Sequence, residues 1–474
     1  MDTLFGRDAE CRRLDALLDS KKAEFIAIYG RRRVGKTFLI DEYLKDKIAF
    51  KVSGVLNQGT QAQKSAFRIA LDKQGYPEPT EQTWMDMFYA LQKLLQSKTE
   101  SDKPCVLFID ELPCFDVARS GFIPALDHFW NTWASKYHNI KLIVCGSATS
   151  WMIDKLINNH GGLYNRVTAQ IHLHPFTLKQ TEDYFKSRNI KWNRLQITQF
   201  YMFTGGIPYY LSLVGQQDSV PQAIDNLYFH RDAPLQREYN HLMASLYNSP
   251  EPYTRIIDSL VVRKQGMSRE EISRLTGIPT GGRLTKMLQE LEESDFIRSY
   301  FTREKKIKQN NNLYQLCDMF CSFHLFFRGK GINDDKFWEN NINTPLINTW
   351  YGFAFERVVM QHIDQIKQSL SIAGMSVNYY AWRSRTTEPK SQIDLILDRA
   401  DNIVNLCEIK YSKTPYSISK EEDEKLFLRE QNFVTETNTK QGVHLTLITP
   451  FGVNKNSYWS NVSSEVTLDG LFER

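Results

Sequence analysis

A glycine-containing run that ends in lysine and threonine is the first pattern in this chain whose residue types could do chemistry. It reads Gly30-Arg31-Arg32-Arg33-Val34-Gly35-Lys36-Thr37, after a short apolar run and before a helix-length segment. Glycines at this spacing let backbone N–H groups surround a phosphate, and the start of a helix adds its dipole. Lys36 could reach the β- and γ-phosphates while the Thr37 hydroxyl binds Mg²⁺. The pattern predicts a P-loop for ATP with Mg²⁺; the alternative is a plain glycine-bearing turn between a strand and a helix.

Two adjacent carboxylates, Asp110 and Glu111, follow a second apolar run. P-loop sheets place the residue that holds the Mg²⁺ shell at the end of such a strand. Asp110 is therefore predicted to take the metal, directly or through water, and Glu111 to polarise the attacking water as general base. A third apolar run ends before Ser147, which could sense the γ-phosphate. Acidic pairs and serines in such positions can instead cap helices, and this alternative stays open for Ser147.

These groups need a common scaffold. Residues 24–29, 105–109 and 141–145 are strand-like and are separated by helix-length amphipathic sequence. Strands that alternate with helices predict a parallel sheet covered by helices. From Pro175 to about Leu246 the pattern becomes helical, with Gly205-Gly206-Ile207-Pro208 as its one strong breaker. We interpret this second segment as a helical lid.

The segment from Thr254 to Leu316 has the pattern of a winged helix-turn-helix. Ser268-Arg269-Glu270-Glu271 is a capping box, a glycine-rich turn leads into a second helix, and two strand-like runs form a hairpin around a basic tip. Residues 254–308 hold twelve Lys/Arg and eight Asp/Glu, so their excess of four equals the net charge of the whole chain. The candidate DNA contacts on the second helix and the tip are Arg283, Lys286, Gln289, Arg303, Lys305, Lys306 and Lys308. The alternative is a solvated face on a docking module, because three glutamates share the second helix.

Two strand-like runs near the C-terminus carry a second acidic and basic set. A hairpin centred on Asp401 would place Asp394 opposite Glu408 and Gln392 opposite Lys410, all on one side because side chains alternate. Asp394 and Glu408 could then hold Mg²⁺ while Lys410 orients a water for phosphodiester cleavage. A Glu-x-Lys on a strand can also be an ordinary surface ion pair.

The first half of the chain resembles the prokaryotic archaeal-type ATPases, which are AAA+/STAND-like P-loop proteins. The resemblance rests on the P-loop, on Asp110-Glu111 and on the following further motifs: Phe5-Gly6-Arg7-Asp8-Ala9-Glu10, Gly146-Ser147, Leu163-Tyr164-Asn165-Arg166, Leu173-His174-Pro175-Phe176 and Gly205-Gly206-Ile207-Pro208-Tyr209-Tyr210-Leu211. It implies that Arg166 could neutralise charge on the γ-phosphate, with a surface arginine as the alternative. The lid motif lacks the arginine that many AAA+ lids place there. The family includes ring formers, so the resemblance allows a homo-oligomer through the ATPase domain.

The last quarter resembles the PD-(D/E)xK nuclease superfamily in the version fused to such ATPases. Trp350-Tyr351-Gly352-Phe353-Ala354-Phe355-Glu356 matches its opening helix, and Glu356 corresponds to its helical acidic residue. Gln392-Ile393 stands where the proline of the motif would be, which lowers its specificity. The resemblance implies an α/β restriction-endonuclease-like domain with Glu356, Asp394, Glu408 and Lys410 as catalytic candidates.

Length and composition fit an assembly of packed domains. With 474 residues, 42% of them hydrophobic, the chain is predicted to fold as an ATPase core (1–175), a helical lid (176–250), a winged helix (251–320) and a linker with a nuclease-like domain (321–474). Neither a secretory signal nor a run of about 18 apolar residues is present, so we expect no membrane segment and a cytoplasmic location. The seven scattered cysteines are expected to be reduced.

The sequence therefore predicts an ATP-hydrolysing protein that couples nucleotide state to DNA binding and to Mg²⁺-dependent DNA cleavage. The alternative is an ATP-switched, STAND-like signalling module with an inactive nuclease-like domain, whose winged helix docks a protein. A transcription regulator without hydrolysis is a third possibility, disfavoured by Glu111.

Overall fold

The computed structural model describes residues 4–76, 80, 82–157, 163, 165–247, 249–262, 266–301 and 312–473. The chain divides into two compact units, Met1–Pro175 and Phe176–Arg474. Within the described ranges, we find no helix with the length and apolar character needed to cross a membrane.

The first unit is an α/β structure. Its strands are β1 (Glu24–Tyr29), β2 (Ile48–Ser53), β3 (Cys105–Asp110), β4 (Ile140–Gly146) and β5 (Ala169–His172). Its helices are α1 (Asp8–Leu18), α2 (Lys36–Tyr43), α3 (Thr60–Lys73), α4 (Trp84–Leu95), α5 (Phe122–Thr132) and the short α6 (Thr149–Trp151). The strands pair in the order β2-β3-β4-β1-β5, and all four pairings are parallel. The predicted parallel sheet is confirmed.

The sheet brings the ends of its strands to one edge. Strands β3 and β4 are buried along their whole length, as expected for strands covered on both faces. The register pairs Tyr29 with Gly146, and Ser53 with Asp110. The P-loop, the acidic pair and the segment that holds Ser147 therefore leave the sheet at neighbouring positions.

The second unit begins with a helical region. Its helices are α7 (Leu178–Ser187), α8 (Arg194–Thr204), α9 (Pro208–Ser212), α10 (Val220–Ile224) and α11 (Glu238–Leu246). Capping boxes at Thr177, Asn193 and Ser219 start α7, α8 and α10. Gly205 ends α8 in the left-handed conformation, and Pro208 starts α9, so the predicted breaker lies between two helices.

Three helices and a small sheet follow. They are α12 (Glu251–Val262), β6 (Met267–Ser268), α13 (Arg269–Thr276), α14 (Gly282–Glu293), β7 (Ile297–Phe301) and β8 (Asn312–Leu316), with the strands in the order β6-β8-β7. The capping box at Ser268 is present. The core face of α14 buries Leu284, Met287, Leu288 and Leu291, which recur at helical spacing. The basic tip between β7 and β8 lies outside the described residues.

The segment predicted as a linker contains two helices, α15 (Met319–Phe327) and α16 (Phe337–Asn341). The ring of Phe323 lies 4.5 Å from that of Phe203 in α8 and 5.4 Å from that of Trp338 in α16. Buried aromatic rings contribute large apolar areas, so this phenylalanine-rich stretch packs against the helical region. Cys317 precedes α15 while Cys321 lies within it, so the two cysteines do not share one helical turn.

The C-terminal part is a second α/β structure. Its elements are α17 (Pro345–Gln361), α18 (Ile363–Ser369), β9 (Val377–Arg383), β10 (Gln392–Arg399), β11 (Ile403–Ile409), α19 (Lys420–Thr437), β12 (Gly442–Ile448), β13 (Ser464–Val466) and α20 (Leu468–Leu471). The sheet order is β13-β12-β11-β10-β9. Strand β10 is antiparallel to β9 and β11, whereas β11, β12 and β13 run parallel.

Candidate functional site

The phosphate loop connects the end of β1 to the start of α2. Gly30, Arg33 and Gly35 have φ angles of 143°, 76° and 90°. A side chain at Gly30 would place its Cβ 2.3 Å from the Leu173 carbonyl oxygen, so both conformation and space require glycine there. Lys36 Nζ donates to the Gly30 and Arg31 carbonyl oxygens at 2.9 and 3.1 Å. Burial lowers the pKa of Lys36, although Cys145, Glu111 and Asp110 oppose the shift.

Asp110 is the centre of a hydrogen-bond network at the end of β3. Its carboxylate accepts from Thr37 Oγ1 at 3.0 and 3.1 Å, from Ser53 Oγ at 2.9 Å and from the Glu111 N–H at 3.0 Å. The Cys145 thiol donates to the same carboxylate. A hydroxyl beside a carboxylate is a hard oxygen donor set, which fits Mg²⁺. Thr37 and Asp110 are therefore the residues that would hold the ion.

The carboxylate of Glu111 lies against Ser147. It accepts from the Ser147 N–H at 3.1 Å and from Ser147 Oγ at 3.0 Å. Glu111 itself adopts a left-handed backbone conformation, with φ 47° and ψ 50°. Such conformations in residues other than glycine cluster at functional sites. The structure thus brings together the two residues predicted to activate water and to sense the γ-phosphate.

Sequence reasoning assigned no role to three residues around this site. Arg7 is buried, and its Nη2 donates to the Val34 carbonyl oxygen of the P-loop at 2.9 Å while Nη1 lies 3.7 Å from Glu10. Burial lowers the pKa of Arg7 to about 10, against the opposing effect of Glu10. Ser53 and Cys145 contact Asp110 from the two flanking strands. In the sequence, the Phe5-Gly6-Arg7 motif indicates Arg7. Ser53 and Cys145 are indicated only by their positions near the ends of strand-like runs.

The other arginines that are predicted to act at the ATPase site differ in solvent exposure. Arg31 is 1% exposed, whereas Arg32 and Arg33 are half-buried. Arg166 is exposed on the turn before β5. Its role at the γ-phosphate stays a prediction.

The C-terminal candidates Glu408 and Lys410 form a charged cluster with α19. Lys410 Nζ lies 3.0 Å from Glu408 Oε1 and 3.0 Å from Glu422 Oε1. Arg429 donates to the other oxygen of Glu408, and the Tyr416 hydroxyl donates to Glu422. Burial alone would lower the pKa of Lys410, but Glu408 and Glu422 raise it. Lys410 therefore stays protonated between two carboxylates.

The predicted hairpin register is confirmed, but the regular alternation along β10 is wrong. Leu395 pairs with Cys407 and Asp398 with Val404, which is the register centred on residue 401. Strand β10 is irregular between Ile393 and Ile396, and both isoleucines belong to one core cluster. Regular alternation would put them on opposite faces, so a bulge reverses the facing there.

Asp394 lies inside this bulge and is exposed. It accepts a hydrogen bond from Gln392 Nε2. Alternation therefore cannot place Asp394 beside Glu408 and Lys410, and their convergence stays a prediction. Glu356 is half-buried on α17.

The candidate DNA contacts on α14 are exposed, and its glutamates are engaged within the protein. Arg283, Lys286 and Gln289 are all exposed. Glu290 accepts from Tyr253 and lies 3.8 Å from Lys286, Glu292 accepts from the Ser299 N–H and hydroxyl at 2.7 and 2.6 Å, and Glu293 accepts from Gln289 at 2.7 Å. The wing candidates Arg303, Lys305, Lys306 and Lys308 lie outside the described residues.

The first part of this chain is similar in sequence to a family of ATPase domains, and most of the chain is similar to one further protein. Residues 4–214 match the sequence model of a family described as an ATPase domain predominantly from Archaea. An uncharacterised protein of Methanocaldococcus jannaschii is 26% identical over 416 residues, which cover 85% of this chain and 87% of that protein.

Two solved structures are also similar. A Walker-type ATPase of Pyrococcus abyssi has a TM-score of 0.50 at 18% identity, over 68% of this chain and 96% of its own. The ORC2 protein of Aeropyrum pernix has a TM-score of 0.41 at 14% identity, over 73% of this chain and 95% of its own. Residues 4–214 thus carry an ATPase domain of the archaeal type, on a parallel five-stranded sheet consistent with a P-loop NTPase.

Proposed function

We propose that this protein binds ATP with Mg²⁺ and hydrolyses it at the P-loop. The observation that carries the proposal is the contact of Thr37 with Asp110 at the edge of the sheet, beside Lys36 and Glu111. Lys36 and the loop N–H groups would bind the phosphates, and Thr37 and Asp110 would hold the ion. Glu111 would polarise the attacking water once its carboxylate leaves Ser147. Mg²⁺ would supply charge neutralisation on the phosphates.

Turnover and nucleotide binding test this proposal separately. Glu111→Gln should retain binding of a fluorescent ATP analogue and lose hydrolysis by about a hundredfold or more, since general-base catalysis contributes about 10²–10⁴-fold. Lys36→Ala should lose both. Asp116→Asn, on the loop after the acidic pair, is a matched control in which a carboxylate is removed outside the site. If Glu111→Gln hydrolyses ATP at the wild-type rate, Glu111 is not the base.

DNA binding by the region from α12 to β8 is the finer proposal. The order of three helices and a three-stranded sheet supports a winged helix. Glu290, Glu292 and Glu293 are half-buried and hydrogen-bonded within the protein, whereas Arg283 and Lys286 are exposed. Arg283 and Lys286 on α14 and the basic tip are the residues that would contact phosphates.

Salt dependence distinguishes DNA binding from protein docking. Phosphate contacts give an affinity that falls steeply with salt, with a slope of about 0.9 per contact on duplex DNA. Arg283→Gln should weaken binding to unrelated duplexes equally and make that slope shallower by about 0.9. Full-length protein that binds no duplex at low salt would instead favour the signalling alternative, in which this region docks a protein.

For the C-terminal region we propose DNA cleavage with Glu408, Lys410 and Asp394 as the catalytic residues. The hairpin register and the Glu408–Lys410 contact support it. The bulge at Asp394 and the pairing of Lys410 with Glu422 favour the alternative, an inactive nuclease-like domain on an ATP-switched protein. Incubation with Mg²⁺ and several DNA forms, with and without ATP, separates the two. Cleavage by wild type that both Asp394→Ala and Lys410→Ala lose would support the nuclease; no cleavage by wild type would support the alternative.

A further inference from the structure

The three-stranded sheet and the C-terminal sheet meet directly. Strand β7 packs against β9. Helix α17 is tied to the end of β8, because Arg357 Nε donates to the Leu316 carbonyl oxygen at 3.2 Å and Gln361 Nε2 donates to the Cys317 carbonyl oxygen at 2.9 Å. The candidate DNA-binding region therefore adjoins the strands that carry Asp394. We call this contact region, formed by β7, β9 and the start of β10, the sheet junction.

Each side of the sheet junction carries an arginine, Arg298 on β7 and Arg383 on β9. Arg298 of β7 donates Nε to Gln315 Oε1 at 2.9 Å. Burial lowers the pKa of Arg298, and Cys317, Tyr300 and Tyr379 oppose the shift. Arg383, the last residue of β9, pairs with Gln392 at the start of β10. Because β7 packs against β9, both arginines belong to the sheet junction, and their positive charge favours an anionic ligand.

An exposed aromatic ring lies on the same face as Arg383. Tyr380 and Trp382 belong to the core cluster that also contains Phe433 of α19. Alternation therefore turns Tyr379 and Arg383 to the opposite face of β9. Tyr379 is 50% exposed. The face away from α19 therefore presents an aromatic ring four residues before Arg383, on a strand that packs against β7.

Asp394 borders the same region. Gln392, the strand partner of Arg383, donates to the Asp394 carboxylate. A phosphate held by Arg383 would therefore lie near the candidate carboxylate of β10.

We propose that the sheet junction binds a single nucleic-acid strand, with Tyr379 stacking on a base, Arg383 contacting a phosphate and Arg298 adding positive field. An aromatic ring combined with cations is how proteins bind single strands without sequence preference, because every base has a stacking face. The bases of a duplex already stack on one another, so a duplex presents fewer free base faces on which Tyr379 could stack. The inference rests on the proposed binding of nucleic acid, for which it identifies the strand form and a second contact region.

Binding of labelled oligothymidylate and of a labelled duplex to the full-length protein tests the inference, by fluorescence anisotropy over a salt series. Tyr379→Ala should weaken binding of the single strand by about tenfold, as expected for one lost base stack, and change duplex binding far less. Tyr379→Phe keeps the ring and should bind like wild type. Arg383→Gln should make the salt slope for the single strand shallower by about 0.7.

The matched controls lie on α19, which covers the other face of the C-terminal sheet. Phe427 is 64% exposed, and Lys425 is also exposed. Phe427→Ala and Lys425→Gln should leave binding of the single strand unchanged. Thermal melting of each variant identifies any that fail to fold. If Tyr379→Ala is one of them, Tyr379→Leu, which keeps an apolar side chain but removes the ring, replaces it with the same expected loss of single-strand binding.

The outcomes separate this inference from the proposed function. Wild type that binds neither probe at low salt overturns the proposed DNA binding and the inference with it. Wild type that binds DNA while Tyr379→Ala and Arg383→Gln bind the single strand equally well overturns the inference alone. Equal weakening of single-strand and duplex binding by Tyr379→Ala also overturns it, because stacking on an unpaired base would then not be the cause.

Discussion

Individual residues at the end of β3 divide the work of the ATPase site. The two carboxylates are adjacent in sequence, yet their contacts differ. Asp110 accepts from Thr37 and Ser53, whereas Glu111 accepts from Ser147. The left-handed backbone at Glu111 turns the chain between them. These different contacts agree with the proposed roles, in which Asp110 would hold an ion and Glu111 would polarise a water.

Arg7 is predicted to position the P-loop. Arg7→Met removes the hydrogen bond to the Val34 carbonyl oxygen and leaves that buried acceptor without the guanidinium, at a cost of about 1–3 kcal/mol. We expect KM for ATP to rise about tenfold with a smaller change in kcat, because the loop binds phosphates less well. Steady-state kinetics check this, with the exposed Arg12→Met as control. An unchanged KM would mean that Arg7 stabilises the structure around the start of α1 but does not affect ATP binding.

Among the elements of the second unit, one buried carboxylate organises the helical region. Glu182 of α7 lies 3.1 Å from each of Lys179, Lys186 and Arg194. Burial would raise its pKa, but hydrogen bonds from Arg194, Lys179 and Lys186 lower it to about 2. The ionised carboxylate thus joins α7 to the start of α8.

Glu182→Gln should destabilise the protein by about 2 kcal/mol at neutral pH, since hydrogen bonds to charged groups contribute about 1.5–3 kcal/mol. A lowered pKa stabilises the fold above the unfolded value of 4.5, and this contribution is lost as pH falls toward about 2. The difference between wild type and Glu182→Gln should therefore shrink between pH 5 and pH 2. Denaturant melts across this range measure it. Asp183→Asn, which removes one contact to Lys179, is the milder control.

Two glycines with the same backbone conformation should differ in their tolerance of alanine. Gly206 and Gly277 have φ angles of 70° and 71°. An alanine Cβ at Gly206 would lie 2.1 Å from the Phe176 carbonyl oxygen, whereas one at Gly277 would have no described residue beyond its own chain neighbours within 4 Å. Gly277→Ala should cost about 1–2 kcal/mol for the left-handed conformation, and Gly206→Ala about 3 kcal/mol or more because overpacking adds to it. Equal losses of unfolding free energy would contradict the steric argument.

Across the whole molecule, the cysteines are predicted to be inert. All seven are free thiols, and four of them are buried. Burial raises the pKa of Cys11, Cys105 and Cys114 to about 11 and that of Cys317 to about 12. Native protein at pH 8 should react slowly with a thiol reagent, and denatured protein should expose all seven. Added reductant should leave the melting temperature unchanged. A fast-reacting thiol in the native protein would show that one site opens readily.

Local patterns in the sequence predict much of the fold. The P-loop spacing, the capping box at Ser268, the core face of α14 and the hairpin register all depend on neighbours within a few residues. Their physical causes, hydrogen bonds to orphan N–H groups and burial of one face, act at short range. Such features can be predicted from sequence because they do not depend on contacts with residues far away in the chain.

The bulge in β10 shows where local patterns fail. Unbroken alternation would place Asp394 beside Glu408, but Ile393 and Ile396 both pack into one core with Trp382 and Phe433. Packing against β9 and α19 therefore sets which way the strand faces. Local composition is also misleading in the segment after Phe327. Its glycines and asparagines are typical of a linker, but its aromatic rings pack into the helical region.

The ATPase chemistry can be inferred from the sequence alone. The loop that leads to Lys36 and Thr37 follows the end of β1, Asp110 and Glu111 stand at the end of β3, and a parallel sheet must bring these strand ends to one edge. Tertiary packing selects the further groups that complete the site. Arg7 reaches Val34 across 27 residues, and Ser53 and Cys145 approach Asp110 from neighbouring strands. Packing also brings β7 beside β9, near Asp394. Contacts between residues far apart in the chain depend on how completed elements pack, and no local spacing encodes them.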